Sequence, residues 1–347
     1  MKMLEYEKMG NKVPEGVNSP STPTPTLSNT WSPPVNSRKR KRRKSRFADF
    51  CCKIASIFCC PPTRTSIVRK LAFHPPVPSQ YCLVEDKTAE FGLRIKANKP
   101  KLLRVYPDFE ECCKQAEIFN VKKKDGNLLA GLRVRCPVLN KPKRGQRSPD
   151  TRVTVFYSHP NAVDLADVLP YAVDFSKTFF CDFISYDYTG YGQNLGEPSE
   201  AQILCDAECV FQHVRVQLKT NLRRLILFGE SIGSVPSIHL ATRYKVRGLI
   251  LQGALASGIK VFFPFVDANP FGIDCFRNIE RVSNILCPVL FVHGTHDEIC
   301  DFKAAKEMYK KCPRAVKPLW VLGAGHSDCN EHDQYEQRIR KFMQTLK

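Results

Sequence analysis

Between residues 151 and 323 short apolar runs keep returning: TRVTVFYS (151–158), FFCDFISYD (179–187), LILFGE (225–230), RGLILQG (247–253), PVLFVHG (288–294) and PLWVLG (318–323). Each is too short for a helix and too continuously apolar for a strand with one wet face. Stretches of helical length separate most of them. The clearest is Ser199 to Thr220, where Ile203, Leu204, Ala207, Val210, Phe211, Val214 and Leu218 share one face, and Ser199 with Gln202 forms a capping-box pattern. Buried strands alternating with amphipathic helices predict an α/β fold, a mostly parallel, doubly wound sheet with right-handed crossovers. AEIFNV (116–121) and LLAGLRVRC (128–136) read as two more strands around the turn Asp125-Gly126. No internal repeat is visible. Regular structure is expected to start near 117.

The 347 residues, 43% of them hydrophobic, suit one large catalytic domain with a tail. The net charge of +19 is concentrated in two blocks. Residues 1–46 hold 11 basic against 3 acidic side chains, and residues 94–149 hold 15 against 5. Such blocks point to an anionic partner, membrane or nucleic acid. Sixteen cysteines suggest a disulfide scaffold only in an oxidising compartment, and the N-terminus has no apolar signal segment. Cys181, Cys205, Cys209 and Cys287 lie inside apolar periodic segments, where a reduced cysteine packs as a small hydrophobe. A reducing, cytosolic setting is therefore expected. No apolar stretch reaches the ~18 residues of a membrane-spanning helix.

Four regions follow. Residues 1–46 form a tail, rich in Pro and Ser and then basic (RKRKRRKSR, Arg38 to Arg46), that cannot bury enough apolar area to order. Residues 47–76 form a Cys-rich segment in which Phe47, Phe50, Cys51, Ile54, Ile57 and Phe58 recur at roughly helical spacing before Pro61 and Pro62. Residues 77–115 read as a basic linker, and 116–347 as the catalytic domain.

LILFGESIGSVP (225–236) holds Gly229, Ser231 and Gly233 in a G-x-S-x-G spacing. Alone this is a weak signal, equally readable as a glycine-rich turn. Its context strengthens it: an apolar run precedes it and a plausible helix, Val235 to Tyr244, follows, as needed for a sharp turn that lifts the serine off the sheet. The expected partners come in the chain order Ser…Asp…His. Asp297 lies just past PVLFVHG, and His326 just past PLWVLG, both at C-terminal strand ends. His326 would take the Ser231 proton, and Asp297 would fix the imidazole tautomer. Asp267 and Asp274 are rival acids. Asp301 reads as a helix cap, His293 and His296 as structural or rim residues, and His332 as part of the final helix. The oxyanion hole needs two backbone N–H groups: Ile232, after the nucleophile, and Asn161, in the loop SHPNAVDL (158–165), are the candidates.

These residues resemble the α/β-hydrolase domain-containing protein 17 family, whose members are membrane-associated protein depalmitoylases. The resemblance rests on SH-x-NAVDL (158–165), SYDYTGYG (185–192), G-x-SIG-x-VP (229–236), HGT-x-DE (293–298), CPRAVKPLWVLGAGH (312–326) and the upstream CCxxxxxFCCPP with KLAFHPP (51–76). It covers most of 47–73 and nearly all of 116–345. It implies an α/β-hydrolase fold, with Ser231, Asp297 and His326 as the triad. Three departures stand out. Pro160 replaces a family glycine, which bears on rate. The Pro/Ser-rich tail with Arg38–Arg46, and the longer, more basic 91–115, bear on location and partners.

The resemblance further implies S-acylation of Cys51, Cys52, Cys59 and Cys60. Physically, a short amphipathic segment lies on a bilayer stably only with two attachment signals, at ~0.8 kcal/mol per buried CH₂. Arg38–Arg46 would add attraction to anionic lipid. Adjacent Cys-Cys pairs lack zinc-site spacing. A nuclear localisation signal is the competing reading of the basic run. Only 33 residues (254–286) separate RGLILQG from PVLFVHG, which predicts a short cap and an open site. The expectation is a monomeric serine hydrolase without metal or organic cofactor. It would cleave acyl thioesters from S-acylated membrane proteins at the cytoplasmic face of membranes, the plasma membrane and endosomes by resemblance. No nucleic-acid partner is expected. The alternatives are a lipid esterase such as a monoacylglycerol lipase using the same triad, or a non-catalytic membrane adaptor disabled by Pro160.

Overall fold

Strand β7 (Leu225–Glu230) shows why the apolar runs lack alternation. Its residues point in turn to two opposite cores, Leu225 and Leu227 into one and Ile226 and Phe228 into the other. A strand covered on both faces has no wet side to mark with polar residues. A computed structural model of the chain describes residues 64–136, 152–262 and 274–346. In chain order the elements are α1 (Arg64–Ala72), β1 (Tyr81–Glu85), β2 (Leu93–Ala97), α2 (Pro100–Val105), α3 (Phe109–Gln115), β3 (Ala116–Lys122), β4 (Leu128–Val134), β5 (Thr154–Ser158), α4 (Leu165–Phe179), β6 (Asp182–Tyr186), α5 (Glu200–Val216), β7, α6 (Ser234–Arg243), β8 (Gly248–Gln252), α7 (Gly258–Phe262), α8 (Asn278–Arg281), β9 (Val289–Gly294), α9 (Phe302–Lys311), β10 (Leu319–Val321) and α10 (Asp333–Thr345).

All eight predicted strands join one sheet, in the order β10-β9-β8-β7-β5-β6-β4-β3. Strands β5 to β10 pair in parallel, and β4 and β3 extend the edge antiparallel. Helices α5, α6 and α9 cover one face through residues such as Phe211, Ile238 and Met308. Helices α4 and α10 cover the other through Leu169, Phe175, Ile339 and Phe342. From β5 the chain crosses to β6 on one side, then returns past β5 to β7 on the other. The loops after β5 and β7 therefore diverge at a topological switch point, where an open α/β sheet forms its ligand crevice.

Several boundaries differ from expectation. Residues 77–115 are not a linker. Strands β1 and β2 form an antiparallel hairpin, and Tyr81, Ile95, Leu102 and Phe109 are buried in the core that holds α4. Arg94 and Lys96 flank the buried Ile95 on β2, and the basic residues 96–104 that follow give the stretch the look of a basic tether. The helix face on α5 is as expected for Ile203, Ala207, Val210, Phe211 and Val214, while Leu204 and Leu218 are half-buried. The capping box there is half formed. Ser199 accepts from the Gln202 N–H at 3.2 Å, but the Gln202 amide turns to Asp206 at 3.3 Å. Phe179 and Phe180 end α4 rather than start β6, with Phe180 left-handed at φ 52°. Among the described residues the cysteines form no disulfide. Cys181 and Cys287 are core residues, but Cys205 is exposed and Cys209 half-buried. No helix among the described residues is long and apolar enough to cross a membrane. The tail, Arg38–Arg46 and the Cys51–Cys60 segment lie outside the described residues, as does Asp267.

Candidate active site

Where β7 ends, the backbone must turn sharply to start α6, and the residue at the bend takes the strain. That residue is Ser231, at φ 52°, the first of a one-turn 3₁₀ helix, Ser231–Gly233. A left-handed conformation costs a non-glycine residue on the order of 1–3 kcal/mol and persists only where surroundings impose it. They do so through the flanking glycines. A Cβ on Gly229 would overlap the Gly233 carbonyl and the Ser234 backbone, and one on Gly233 would overlap the Ser158 carbonyl. The turn is pressed against the loop after β5, and only glycine at both positions permits it.

Ser231, His326 and Asp297 come together in a hydrogen-bonded line. Ser231 Oγ lies 2.9 Å from His326 Nε2, and His326 Nδ1 lies 2.8 Å from Asp297 Oδ2. The Asp297 side chain is fully buried and that of His326 9% exposed. The other Asp297 oxygen, Oδ1, accepts the Ile299 and Cys300 N–H groups, both at 2.8 Å. His293 Nε2 approaches Asp297 Oδ2 at 3.1 Å and the Cys300 carbonyl at 2.9 Å. Burial alone would raise the Asp297 carboxyl, but hydrogen bonds from His293 and His326 outweigh it and hold the group well below the usual carboxylate range. Burial lowers His326, yet the Asp297 hydrogen bond and the Asp297, Glu230 and Glu298 charges leave its imidazole above the ordinary value. An ionised carboxylate thus supports an imidazole that can hold a proton, with a serine hydroxyl at its other nitrogen. This geometry suits acyl transfer.

The rival acid is placed elsewhere. Asp274 accepts the Ile259 N–H at 2.9 Å, at the start of α7. Asp301 caps α9, accepting from the Ala304 N–H at 3.0 Å, as expected. His293 supports Asp297, His296 is exposed, and His332 is the residue before α10 rather than within it.

Ile232 is buried in the turn after Ser231. Asn161 is held by its side chain. Its amide donates to the Ala72 carbonyl at 2.7 Å, and its Oδ1 accepts from the His74 N–H at 2.9 Å and the Tyr191 hydroxyl at 2.6 Å. The His159 carbonyl accepts from the Tyr188 hydroxyl at 2.7 Å. The left-handed residue of this loop is Ala162, at φ 65°, two positions beyond Pro160.

One carboxylate beside Ser231 was not anticipated. Glu230, the second residue of the G-x-S-x-G stretch, is turned inward. It accepts from the Tyr157 hydroxyl at 2.6 Å and from Gln252, which in turn accepts from Tyr335 at 2.8 Å. Burial raises its carboxyl above the ordinary value, against these hydrogen bonds and the nearby His326. The signal was an acidic residue inside an apolar strand end, which no partner in the local sequence explains. Among the described residues, Asp297, Cys300 and His326 also place potential metal-ligating atoms within 4.8 Å of one another. Burial and the Asp297 charge push the Cys300 thiol well up, and Asp297 and His326 are already bonded to each other. The donor set fits a proton relay better than a cation.

The sheet order, the strained serine at its switch point and the relay define an α/β hydrolase. The chain is 35% identical to human alpha/beta hydrolase domain-containing protein 17B over 298 residues, 86% of this chain and 96% of that protein. It is 36% identical to protein 17C of Xenopus tropicalis, covering 83% of this chain and 92% of the relative. To alpha/beta hydrolase domain-containing protein aho-3 of Caenorhabditis elegans it is 35% identical, over 96% of this chain and 91% of that one. The chain belongs to the α/β-hydrolase domain-containing protein 17 family. No protein-family model matches it. Among solved structures, an esterase of Pyrococcus furiosus shares the fold, with a TM-score of 0.54 at 14% identity, covering 68% of this chain and 92% of that chain.

Proposed function

We propose that this hydrolase removes acyl groups from S-acylated proteins at a membrane surface, through an acyl-enzyme on Ser231. The observation that carries the reading is the line from Ser231 Oγ through His326 to Asp297. Ser231 Oγ attacks the thioester carbonyl as His326 Nε2 takes its proton. The imidazolium, held by Asp297, gives that proton to the departing cysteine sulfur. Water, deprotonated by His326, then attacks the acyl-enzyme and frees the fatty acid and Ser231. The Ile232 and Asn161 N–H groups stabilise the oxyanion. Family membership supports a lipidated protein over a small ester, as does the shortness in sequence of the span between β8 and β9, too few residues for a large lid. The location follows from acyl chains on Cys51, Cys52, Cys59 and Cys60, reinforced by Arg38–Arg46 at an anionic cytoplasmic leaflet.

Fluorophosphonate labelling of wild type and Ser231→Ala tests the nucleophile. Labelling and thioesterase activity should disappear while the melting temperature stays close to wild type. Labelling that persists identifies another nucleophile. Turnover of a palmitoylated peptide thioester should exceed that of monoacylglycerol, and the reverse order would make the enzyme a lipid esterase.

A further inference from the structure

At the opposite end of the sheet from Ser231, cationic side chains from two walls converge on a small cavity. One wall is the strand ends around β4, β5 and β6, with Arg133, Arg135 and Arg152. The other is the turn after α5, with Lys219 and Arg224. The cavity lies at the N-terminal ends of the parallel strands. The six residues of β7 at ~3.3 Å each put it about 20 Å from the nucleophile. Its volume is about 230 Å³. Drug-sized ligands need roughly 300 Å³ or more, whereas phosphate groups fit in less.

Among the described residues, carboxylates reach the arginines of the strand wall but not Lys219 or Arg224. Glu117 is shared by two guanidiniums, bonding Arg133 at 2.5 Å and Arg135 at 2.6 Å. Asp182 lies 3.8 Å from Arg152 and also accepts the Cys136 N–H. Glu90 reaches Arg135 from outside at 3.6 Å. Among the described residues Lys219 and Arg224 have no ion-pair partner, so their two charges add to those of the carboxylate-bound guanidiniums. The last turn of α5 is closed internally, by the Leu218 and Thr220 N–H groups on the His213 and Val214 carbonyls. That closure puts Lys219 at φ 52°, where glycine or asparagine would sit with less strain. The strained residue is a lysine that lines the cavity. Guanidinium forks, two of them pre-positioned by the shared Glu117, beside two cations with no ion-pair partner among the described residues, match phosphate oxygens.

We propose that this cavity binds a phosphate-bearing anion, supplied either as a lipid headgroup or as a free phosphate compound. It gives part of the basic block at 94–149 a place and a ligand, independently of the chemistry at Ser231. The test uses the full chain, wild type against Lys219→Glu/Arg224→Glu, with the Arg38–Arg46 run present in both so that its own pull on anions cancels. Pyrophosphate should raise the melting temperature of the wild type, and the variant should need roughly tenfold more or beyond for the same rise. Phosphatidylcholine vesicles with and without phosphatidylinositol bisphosphate form the second arm. Stronger retention of wild type than variant on the phosphoinositide vesicles assigns the lipid source. Equal retention, with pyrophosphate still discriminating, assigns a free phosphate. Lys219→Gly guards against misfolding, since it relieves the left-handed strain while removing a cation. It should melt no lower than wild type and still lose pyrophosphate affinity. Equal responses of wild type and both variants to both probes would overturn the proposal.

Discussion

At the scale of single residues, the acid in the relay is decided by what surrounds each aspartate. Asp297 receives two backbone N–H groups and two imidazoles, so its charge is stabilised where it supports His326. Asp297→Asn should cut turnover by about 10⁴-fold, because the wrong imidazole tautomer is then favoured. Asp274→Asn should leave turnover unchanged, because that side chain holds α7. Measuring kcat for both variants separates them, and damage from Asp274→Asn alone would reverse the assignment. Glu230 acts at the same scale. An ionised carboxylate there stabilises protonated His326. Since the base works when neutral, kcat/KM climbs as pH rises through the His326 pKa. Glu230→Gln removes the negative charge, so the imidazole loses its proton more easily. The acidic limb should move to lower pH, with a lower plateau, in a pH profile of kcat/KM. A limb that stays in place would mean Glu230 carries no charge at working pH.

At the scale of elements, α4 is the anchor for the N-terminal hairpin. Asp164 caps it, accepting from the Ala166 N–H at 3.1 Å, and also holds the Gln80 N–H at 2.9 Å ahead of β1. Asp167 completes the capping box and receives the Gln80 amide. Burial, then the charge of Asp187, pushes the Asp164 carboxyl up to about 7, and burial pushes Asp167 to about 6. An acid whose folded pKa is raised keeps its proton better in the native state. Its stabilising contribution is full below the ordinary value of 3.8 and is lost as pH rises through about 7. Asparagine caps helices as well as aspartate and stays neutral throughout. Denaturant titrations at pH 5 and pH 8 should therefore show wild type losing stability relative to Asp164→Asn at the higher pH. Parallel behaviour of the two proteins would refute this account of the cluster.

At the scale of the whole molecule, the question is where the enzyme meets its substrate. Several acyl chains hold a protein to a bilayer far better than a basic run, which salt screens over ~8–10 Å. Changing Cys51, Cys52, Cys59 and Cys60 together to Ser should move the protein from membrane to soluble fractions on cell fractionation. Retention at the membrane would put the basic run in charge. Accumulation in the nucleus would make that run a localisation signal.

Sequence alone determined what depends on local sterics and period. Strands buried on both faces must be apolar throughout, so all eight strands of the large sheet were legible. A strained turn needs small residues on both sides, so Gly229 and Gly233 marked Ser231. Because active-site groups sit at C-terminal strand ends, Asp297 and His326 could be placed by their position after apolar runs. Tertiary structure decided what depends on neighbours remote in the chain. His326 reaches Ser231 across 95 positions, and only the strand order makes that contact. The hairpin of β1 and β2 was invisible because its strands are five residues long and show no clean alternation, Cys82 and Val84 lying outward beside Arg94 and Lys96, so the inward Tyr81 and Ile95 stand out as core only once folded. Glu230 and the arginines at the far end of the sheet are charged letters in any sequence. Whether such a charge is solvated, buried beside a base or gathered around a cavity is set by the dielectric and the partners that folding brings to it.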